Sequence, residues 1–248
     1  MINSKIGIIV PAYDEHQNIL NLIKKIRRIT RCTILIVDDS PNNKTKNIIN
    51  ELTDKNVIYI HRKKKLGRGS AVLLGLKKLY KYNKRKIKYF IEMDADLSHN
   101  PIELNKKVKI FLKKKLDLLI SSRYLRKSEI KNWTYQRKIL SKISNLLVRV
   151  TTQIHLTDFT NGYRIYSKKA VSLILKHCKN SKNDFILLSE IILILYIYNL
   201  KISEKSTIFK NRTKGKSNVN IKLILKSLLG LIKLFFMKKK FLKVMSNK

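Results

Sequence analysis

Lys88-Tyr89-Phe90-Ile91-Glu92-Met93-Asp94-Ala95-Asp96 is a short, largely apolar run that ends on two carboxylates. An apolar stretch of this length without polar alternation reads as a strand buried on both faces, and such strands belong to parallel sheets covered by helices. Four runs of the same kind flank it, at residues 5–10, 33–37, 57–60 and 118–121. Between them lie segments with helical spacing: Ile19, Leu20, Leu22, Ile23, Ile26 and Ile29, then residues 44–52, 70–82 and 102–115. Strand and helix alternate throughout, so the first half is expected to form a doubly wound α/β unit with a mostly parallel sheet.

Ligands of open α/β sheets bind outside the carboxyl ends of the strands, which makes the residues at those ends decisive. Here the first strand runs into Pro11-Ala12-Tyr13-Asp14-Glu15, the second into Asp38-Asp39-Ser40-Pro41, and the fourth into Asp94-Ala95-Asp96. So many carboxylates at one edge require a cation or hydrogen-bond donors among them. Asp94 and Asp96, two apart in extended chain, would point the same way and reach one hard cation, Mg²⁺ or Mn²⁺, which takes one or two carboxylates and completes its shell with substrate phosphates. An isolated Asp-x-Asp is more often a turn or a helix cap than a ligand; its place after a buried strand is what favours the ligand reading. A carboxylate of the Asp38-Asp39 pair is placed to accept from a ribose or base, or else to close a turn, and Asp14 and Glu15 stand where they could cap the first helix. Gly67-Arg68-Gly69 opens a helical run whose N-terminus could face a phosphate or sugar. It lacks the third glycine of a dinucleotide fingerprint and follows the third strand rather than the first, which argues against a dehydrogenase.

In this order the pieces resemble the family 2 glycosyltransferases of GT-A fold, and among them the dolichol-phosphate mannosyltransferase group. The resemblance is carried by Pro11-Ala12-Tyr13-Asp14-Glu15, Asp38-Asp39-Ser40-Pro41, Leu66-Gly67-Arg68-Gly69, Asp94-Ala95-Asp96-Leu97-Ser98-His99 and Ser122-Arg123-Tyr124. It continues through Trp133, Arg137, Asp158-Phe159-Thr160-Asn161-Gly162-Tyr163-Arg164, Glu190 and residues 212–217, so it covers about residues 5 to 218. It implies that Pro11, Tyr13, Glu15, Asp39, Gly67 and Asp94 serve the donor, a nucleotide-diphosphate sugar such as GDP-mannose or UDP-glucose. Asp94 and Asp96 would hold the metal, with Ser98 at the third metal-side position. Ser122, Arg123, Arg137, Arg212 and Lys216 would bind the phosphate of a polyprenyl-phosphate acceptor, and Asp96, Arg123 and Arg137 would be the catalytic set. Asp158 and Glu190 would face the site, with pairing to Arg164 or Arg137 the structural alternative for a buried Glu190. The implied reaction is inverting transfer of a hexose, mannose foremost. A phosphate monoester is already ionised near neutral pH, so its attack needs no general base. The alternative, a saccharide or other hydroxyl acceptor, would need one, and Asp158 or Glu190 would have to supply it.

Composition bounds the remainder. A chain of 248 residues with three Pro and seven Gly accommodates one catalytic domain, residues 1–218, and an appendage, residues 219–248. The formal charge of +39 is spread along the chain, which fits anionic partners and equally fits lysine-decorated solvated faces. There is no zinc spacing, recognition-helix pattern or aromatic–basic RNA motif, so nucleic acid is not expected as a partner. Cys32 and Cys178 stand far apart and read as reduced thiols, and the apolar run before Pro11 is too short for an export signal. Residues 185–200 contain Glu190, and residues 221–236 contain Lys222, Lys226 and Lys233, so neither is an uninterrupted bilayer span. In the second segment the lysines share one helical stripe and Lys238, Lys239 and Lys240 follow. Such a helix suits either an anionic membrane surface or a core with a solvated lysine face. The former would make the protein peripheral at the cytoplasmic face of a membrane.

Overall fold

The structure is a computed structural model that describes residues 5–62, 64–82, 87–178 and 184–211, together with residues 230, 232, 234–236 and 238–239. Strand β1 (Ile6–Ala12) is buried at every position, as is β2 (Thr33–Asp38). Between them α1 (His16–Arg27) turns Ile19, Leu22, Ile23 and Ile26 inward, each burial worth roughly 1.5–3 kcal/mol relative to exposure. The chain continues through α2 (Lys44–Asn50), β3 (Val57–His61), α3 (Arg68–Tyr80) and β4 (Tyr89–Glu92). A 3-10 turn at Pro101–Glu103 leads into α4 (Leu104–Lys113) and β5 (Leu118–Ser122). These elements match the alternation expected from the sequence, with ends displaced by a residue or two.

The second half is less regular: β6 (Glu129–Lys131), α5 (Tyr135–Thr152), β7 (Arg164–Ser167), α6 (Lys168–His177), α7 (Asp184–Ile197), β8 (Ile202–Ser206) and β9 (Ile208–Lys210). The main sheet has the order β3-β2-β1-β4-β7-β5-β8. Only β7 runs antiparallel to its neighbours, inserted between β4 and β5. One core lies under α3, α6 and α7, the other under α1 and α4. Helix α7, apolar on all sides, is buried from Ile186 to Leu195, the fate of a helix with no polar stripe. It is therefore a core helix, and among the described residues no helix is long and apolar enough to cross a membrane. Close packing of α3 on β1 depends on Gly75, where a Cβ would run into Ile9.

From β1 the chain steps outward through β2 and β3, then returns to lay β4 on the other side of β1. The crevice at the carboxyl ends of β1 and β4 is the topological switch point, the preferred ligand position in such sheets. Of the sequence-expected appendage, the described residues are helical, and Leu234 is buried in the α3–α6–α7 core. Most of residues 219–248, and with them Arg212 and Lys216, lie outside the described residues.

Candidate active site

At the end of β1, Pro11 and Ala12 are buried while Tyr13 emerges half-exposed, with the Lys65 ammonium 4.0 Å from its ring centroid. Asp14 takes a left-handed φ of 57°, and its N–H donates to Ser40 Oγ at 2.7 Å, tying this loop to the one after β2. Glu15 stands at the N-cap of α1 and accepts from Asn18 Nδ2 at 2.7 Å.

The two carboxylates after β2 are saturated by the protein. Asp38 accepts from the N–H and hydroxyl of Ser40 and from the Tyr59 hydroxyl at 2.8 Å. Asp39 forms a two-pronged ion pair with Arg62 and accepts from the N–H groups of Leu66 at 2.8 Å and Gly67 at 3.0 Å. The N–H of Gly67 thus holds Asp39 in this structure, and Gly67, at φ 90°, provides the bend that starts α3. The donors demanded by an acidic edge are here named: Arg62 for Asp39, and Arg68 for the next cluster.

Strand β4 stops at Glu92, so Asp94 and Asp96 do not lie in extended chain as the sequence spacing implied; they stand in a turn beyond it. Asp96 Oδ1 accepts from Ser98 N at 3.0 Å, and Leu97 takes a left-handed φ of 62° to close that loop. Arg68 reaches both Glu92, at 2.7 Å, and Asp94 Oδ1, at 2.7 Å. Room for its guanidinium comes from Gly162, whose missing side chain would otherwise meet it. His99, fully buried, accepts from the N–H of Asp94 through Nδ1 at 3.1 Å, which leaves Nε2–H to donate to Asn161 Oδ1 at 2.8 Å. Burial lowers the His99 pKa against the pull of Asp94 and Asp96, consistent with the neutral tautomer that network requires. Ser98 Oγ is buried and has no hydrogen-bond partner among the described residues. Two carboxylates with an unpartnered hydroxyl beside them fit a hard divalent cation, and no third His, Cys, Asp or Glu joins them among the described residues. A cation here would draw its remaining ligands from substrate oxygens.

Across the crevice, Ser122 Oγ bonds Thr157 Oγ1 at 2.6 Å and accepts from Tyr124 N, holding the turn that presents Arg123. Arg123 is buried and paired to Asp158 through Nε and Nη2, both at 2.8 Å, and Nη2 also donates to Thr160 Oγ1. Burial alone would raise the Asp158 carboxyl, but the charge and hydrogen bonds of Arg123, with backbone N–H donors, hold it below the ordinary carboxylate range. The arginine that pairs with Asp158 is thus Arg123, not Arg164 or Arg137; Arg164 donates to the carbonyls of Asn161, Leu188 and Phe159. Glu190 is buried in α7, with Cys178 as a charge neighbour. The indole of Trp133 carries two guanidiniums, Arg137 at 4.1 Å and Arg123 at 5.3 Å from the ring centroid. Arg137 also donates to Asn211 at 3.1 Å. Trp133 Nε1–H is buried and has no acceptor among the described residues.

The spacing reading singled out the carboxylates but not what anchors them. Arg68 was visible only as a letter in Leu66-Gly67-Arg68-Gly69, and nothing marked Phe209, which packs on His99 and Trp133. Lys107 was equally hidden. Its buried ammonium bonds Glu103 at 2.6 Å, Ser121 at 2.7 Å and Thr207 at 3.0 Å, and lies 4.0 Å from the ring centroid of Tyr163, which stacks on His99.

A switch-point crevice with a carboxylate pair on one side and a guanidinium–indole cluster on the other defines a nucleotide-sugar transferase of GT-A fold. The chain belongs to glycosyl transferase family 2, whose model matches residues 7–175. It is 31% identical over 180 residues to the polyprenol monophosphomannose synthase of Mycolicibacterium smegmatis, covering 71% of this chain and 66% of that protein. It is 29% identical over 226 residues to the dolichol-phosphate mannosyltransferase of Pyrococcus furiosus, covering 89% of this chain and 60% of the other. The chain thus spans less than two thirds of the length of either relative. In fold it is similar to the glucosyl-3-phosphoglycerate synthase of Mycobacterium tuberculosis, crystallised with Mn²⁺, uridine diphosphate and phosphoglyceric acid. The TM-score is 0.65 at 12% identity, over 93% of this chain and 78% of that one.

Proposed function

We propose that this protein transfers a hexose, mannose from GDP-mannose foremost, to the phosphate of a polyprenyl lipid, with inversion at the anomeric carbon, at the cytoplasmic face of a membrane. The observation that carries the reading is the guanidinium–indole cluster, in which two arginines and an unpartnered Trp133 N–H gather beside a carboxylate that is already spent. Asp158 has its oxygens taken up by Arg123 and its proton affinity lowered by that charge, so it is a weak base for a hydroxyl acceptor. Glu204, raised by burial, is likewise occupied by the N–H groups of Thr157 and Asp158 and by the Thr157 hydroxyl. A phosphate dianion needs no such base, only cations and donors that position it.

In this mechanism Arg137 and the indole N–H of Trp133 receive the acceptor phosphate, Arg123 fixes the wall behind it, and Arg212 and Lys216 add positive charge. A phosphate oxygen attacks the anomeric carbon as the nucleoside diphosphate departs from the opposite side. Pro11, Tyr13 and Glu15 form the donor side, with Asp39 ordering the loop that begins at Gly67. Asp94 and Asp96, with Ser98 beside them, would hold Mg²⁺ or Mn²⁺, which neutralises charge on a leaving diphosphate.

The test is incubation with a panel of labelled nucleotide sugars, polyprenyl phosphate and Mg²⁺ or Mn²⁺, followed by organic extraction. Label in the lipid phase from one donor is the expected result, and its sugar names the donor. Label confined to the aqueous phase with a saccharide acceptor would replace this reading with the hydroxyl-acceptor one.

A further inference from the structure

Glu204 stands at the centre of β8, the edge strand of the main sheet, in register with Ile120 of β5. A charged side chain on an edge strand is ordinarily solvated and serves to discourage further pairing. This one is half-buried and faces the loop after α5. Its Oε2 accepts from Thr157 N at 2.8 Å, and its Oε1 accepts from Asp158 N and from the Thr157 hydroxyl, both at 2.9 Å. Three donors converge on one carboxylate, the pattern of the ionised form, which has no hydrogen to give.

Two branches leave Glu204, and both end at Arg123. Along the first, Thr157 donates its hydroxyl hydrogen to Glu204, so the 2.6 Å bond between Ser122 Oγ and Thr157 Oγ1 is donated by Ser122. Ser122 Oγ in turn accepts from Tyr124 N at 3.1 Å, and the relay closes on the two residues that flank Arg123. Along the second, Glu204 fixes the N–H of Asp158, whose carboxylate accepts from Arg123 N at 3.0 Å and from Nε and Nη2 at 2.8 Å each.

We infer that Glu204 is a positioning residue of the acceptor side, which sets Arg123 in place over Trp133 without itself touching a substrate. The inference rests on the reading of Arg123 as the wall behind the acceptor and deepens it by naming what holds that wall. Burial, foremost, and the charge of Asp158 raise the Glu204 pKa against the three donors, so the fold holds this carboxylate at a cost. A group retained against stability and tied by both branches to one arginine serves the site.

The experiment compares wild type, E204Q and T157V by melting curves and by steady-state transfer to polyprenyl phosphate, each substrate varied in turn. Glutamine keeps the volume but turns one acceptor into a donor facing N–H groups, which opens at least one branch. E204Q is expected to melt within a few degrees of wild type, to keep its KM for the nucleotide sugar, and to lose about tenfold in kcat/KM for the acceptor. T157V removes the hydroxyl branch alone. It should show the same acceptor-only defect at smaller size, and add less than its own factor to E204Q. Acceptor kinetics of wild-type value in E204Q overturn the inference, as does a nucleotide-sugar KM that worsens in step with the acceptor's and with a lowered melting temperature. If E204Q does not fold, T157V decides alone, and an unchanged acceptor kcat/KM there overturns the inference. If wild type uses a saccharide and no polyprenyl phosphate, while E204Q still loses kcat/KM for that acceptor alone, the functional reading fails and the positioning role stands.

Discussion

Asp38-Asp39 and Asp94-Ala95-Asp96 stand at the ends of β2 and β4, the two strands that flank β1, and look alike as acidic strand ends, yet the fold treats them differently. Asp38 and Asp39 are buried and their oxygens are filled by Ser40, Tyr59, Arg62 and two backbone N–H groups. Asp94 remains 28% exposed at its side chain, held by one arginine, and Asp96 sits beside a hydroxyl with no partner among the described residues. A carboxylate whose acceptors are satisfied by its own chain organises a loop. One that faces the crevice beside unpaired polar atoms is equipped to meet a ligand.

The largest expected effect breaks the first pair. Asp39→Ala leaves the Arg62 guanidinium buried without its counter-ion and frees the N–H groups of Leu66 and Gly67. It should cost about 3–5 kcal/mol of stability by chemical denaturation. A variant of wild-type stability that merely binds nucleotide sugar more weakly would mean Asp39 serves the donor and not the loop. The second pair should respond in the opposite way. Asp96→Asn keeps an acceptor for Ser98 N, so its melting temperature should match wild type, while transfer falls by about 10²–10³-fold, the scale for losing one preorganised electrostatic group.

Gly162→Ala probes the link between the two sides. Its methyl group displaces Arg68 from Asp94 at a cost of ~1–3 kcal/mol, the range for overpacking. Transfer should fall by about tenfold, measured as initial rate. In an Arg68→Met background the same substitution should add little, because the contact it disturbs is already gone.

The smallest effect is a pH slope. Burial lowers the Lys107 pKa to about 8 despite Glu103, below its value in the unfolded chain. Between about pH 8 and the ordinary lysine range, the unfolded chain therefore binds more protons than the folded one, and stability rises with pH there. The slope is at most ~1.4 kcal/mol per pH unit. Wild type should gain stability over that window relative to Lys107→Met, read from denaturation midpoints.

Much of the first half was legible because its strands are buried on both faces, which writes them as apolar runs such as Ile6-Gly7-Ile8-Ile9-Val10. The carboxylates were legible for a related reason: acids directly after buried runs mark the carboxyl ends of the strands, although a turn, a cap and a ligand site share that signature. The second half hid its strands. β7 is four residues with an inward arginine, β8 is Ile-Ser-Glu-Lys-Ser at the sheet edge, and β6 and β9 form a separate two-stranded sheet. Glu103 and Lys107 stand four apart on α4, the usual mark of a solvated helix pair, and only the packing of Tyr163 and Thr207 over them makes them a buried knot. The turn at Asp94–Asp96 was also misjudged from spacing, because a left-handed Leu97 leaves no signature in an ordinary leucine. Trp133 and Arg137 were named through resemblance, whereas the stacking that joins them to Arg123 is a property of the fold alone.

The central claim is that the acceptor is a phosphate held by the guanidinium–indole cluster and activated by no base. The most direct measurement offers wild-type protein a labelled nucleotide sugar with either a polyprenyl phosphate or the free polyprenol of equal chain length, and counts label in the organic phase. Label is expected with the phosphate alone, reduced about tenfold in Trp133→Phe, which keeps the ring but removes the N–H. Label on the free polyprenol at a comparable rate would contradict it.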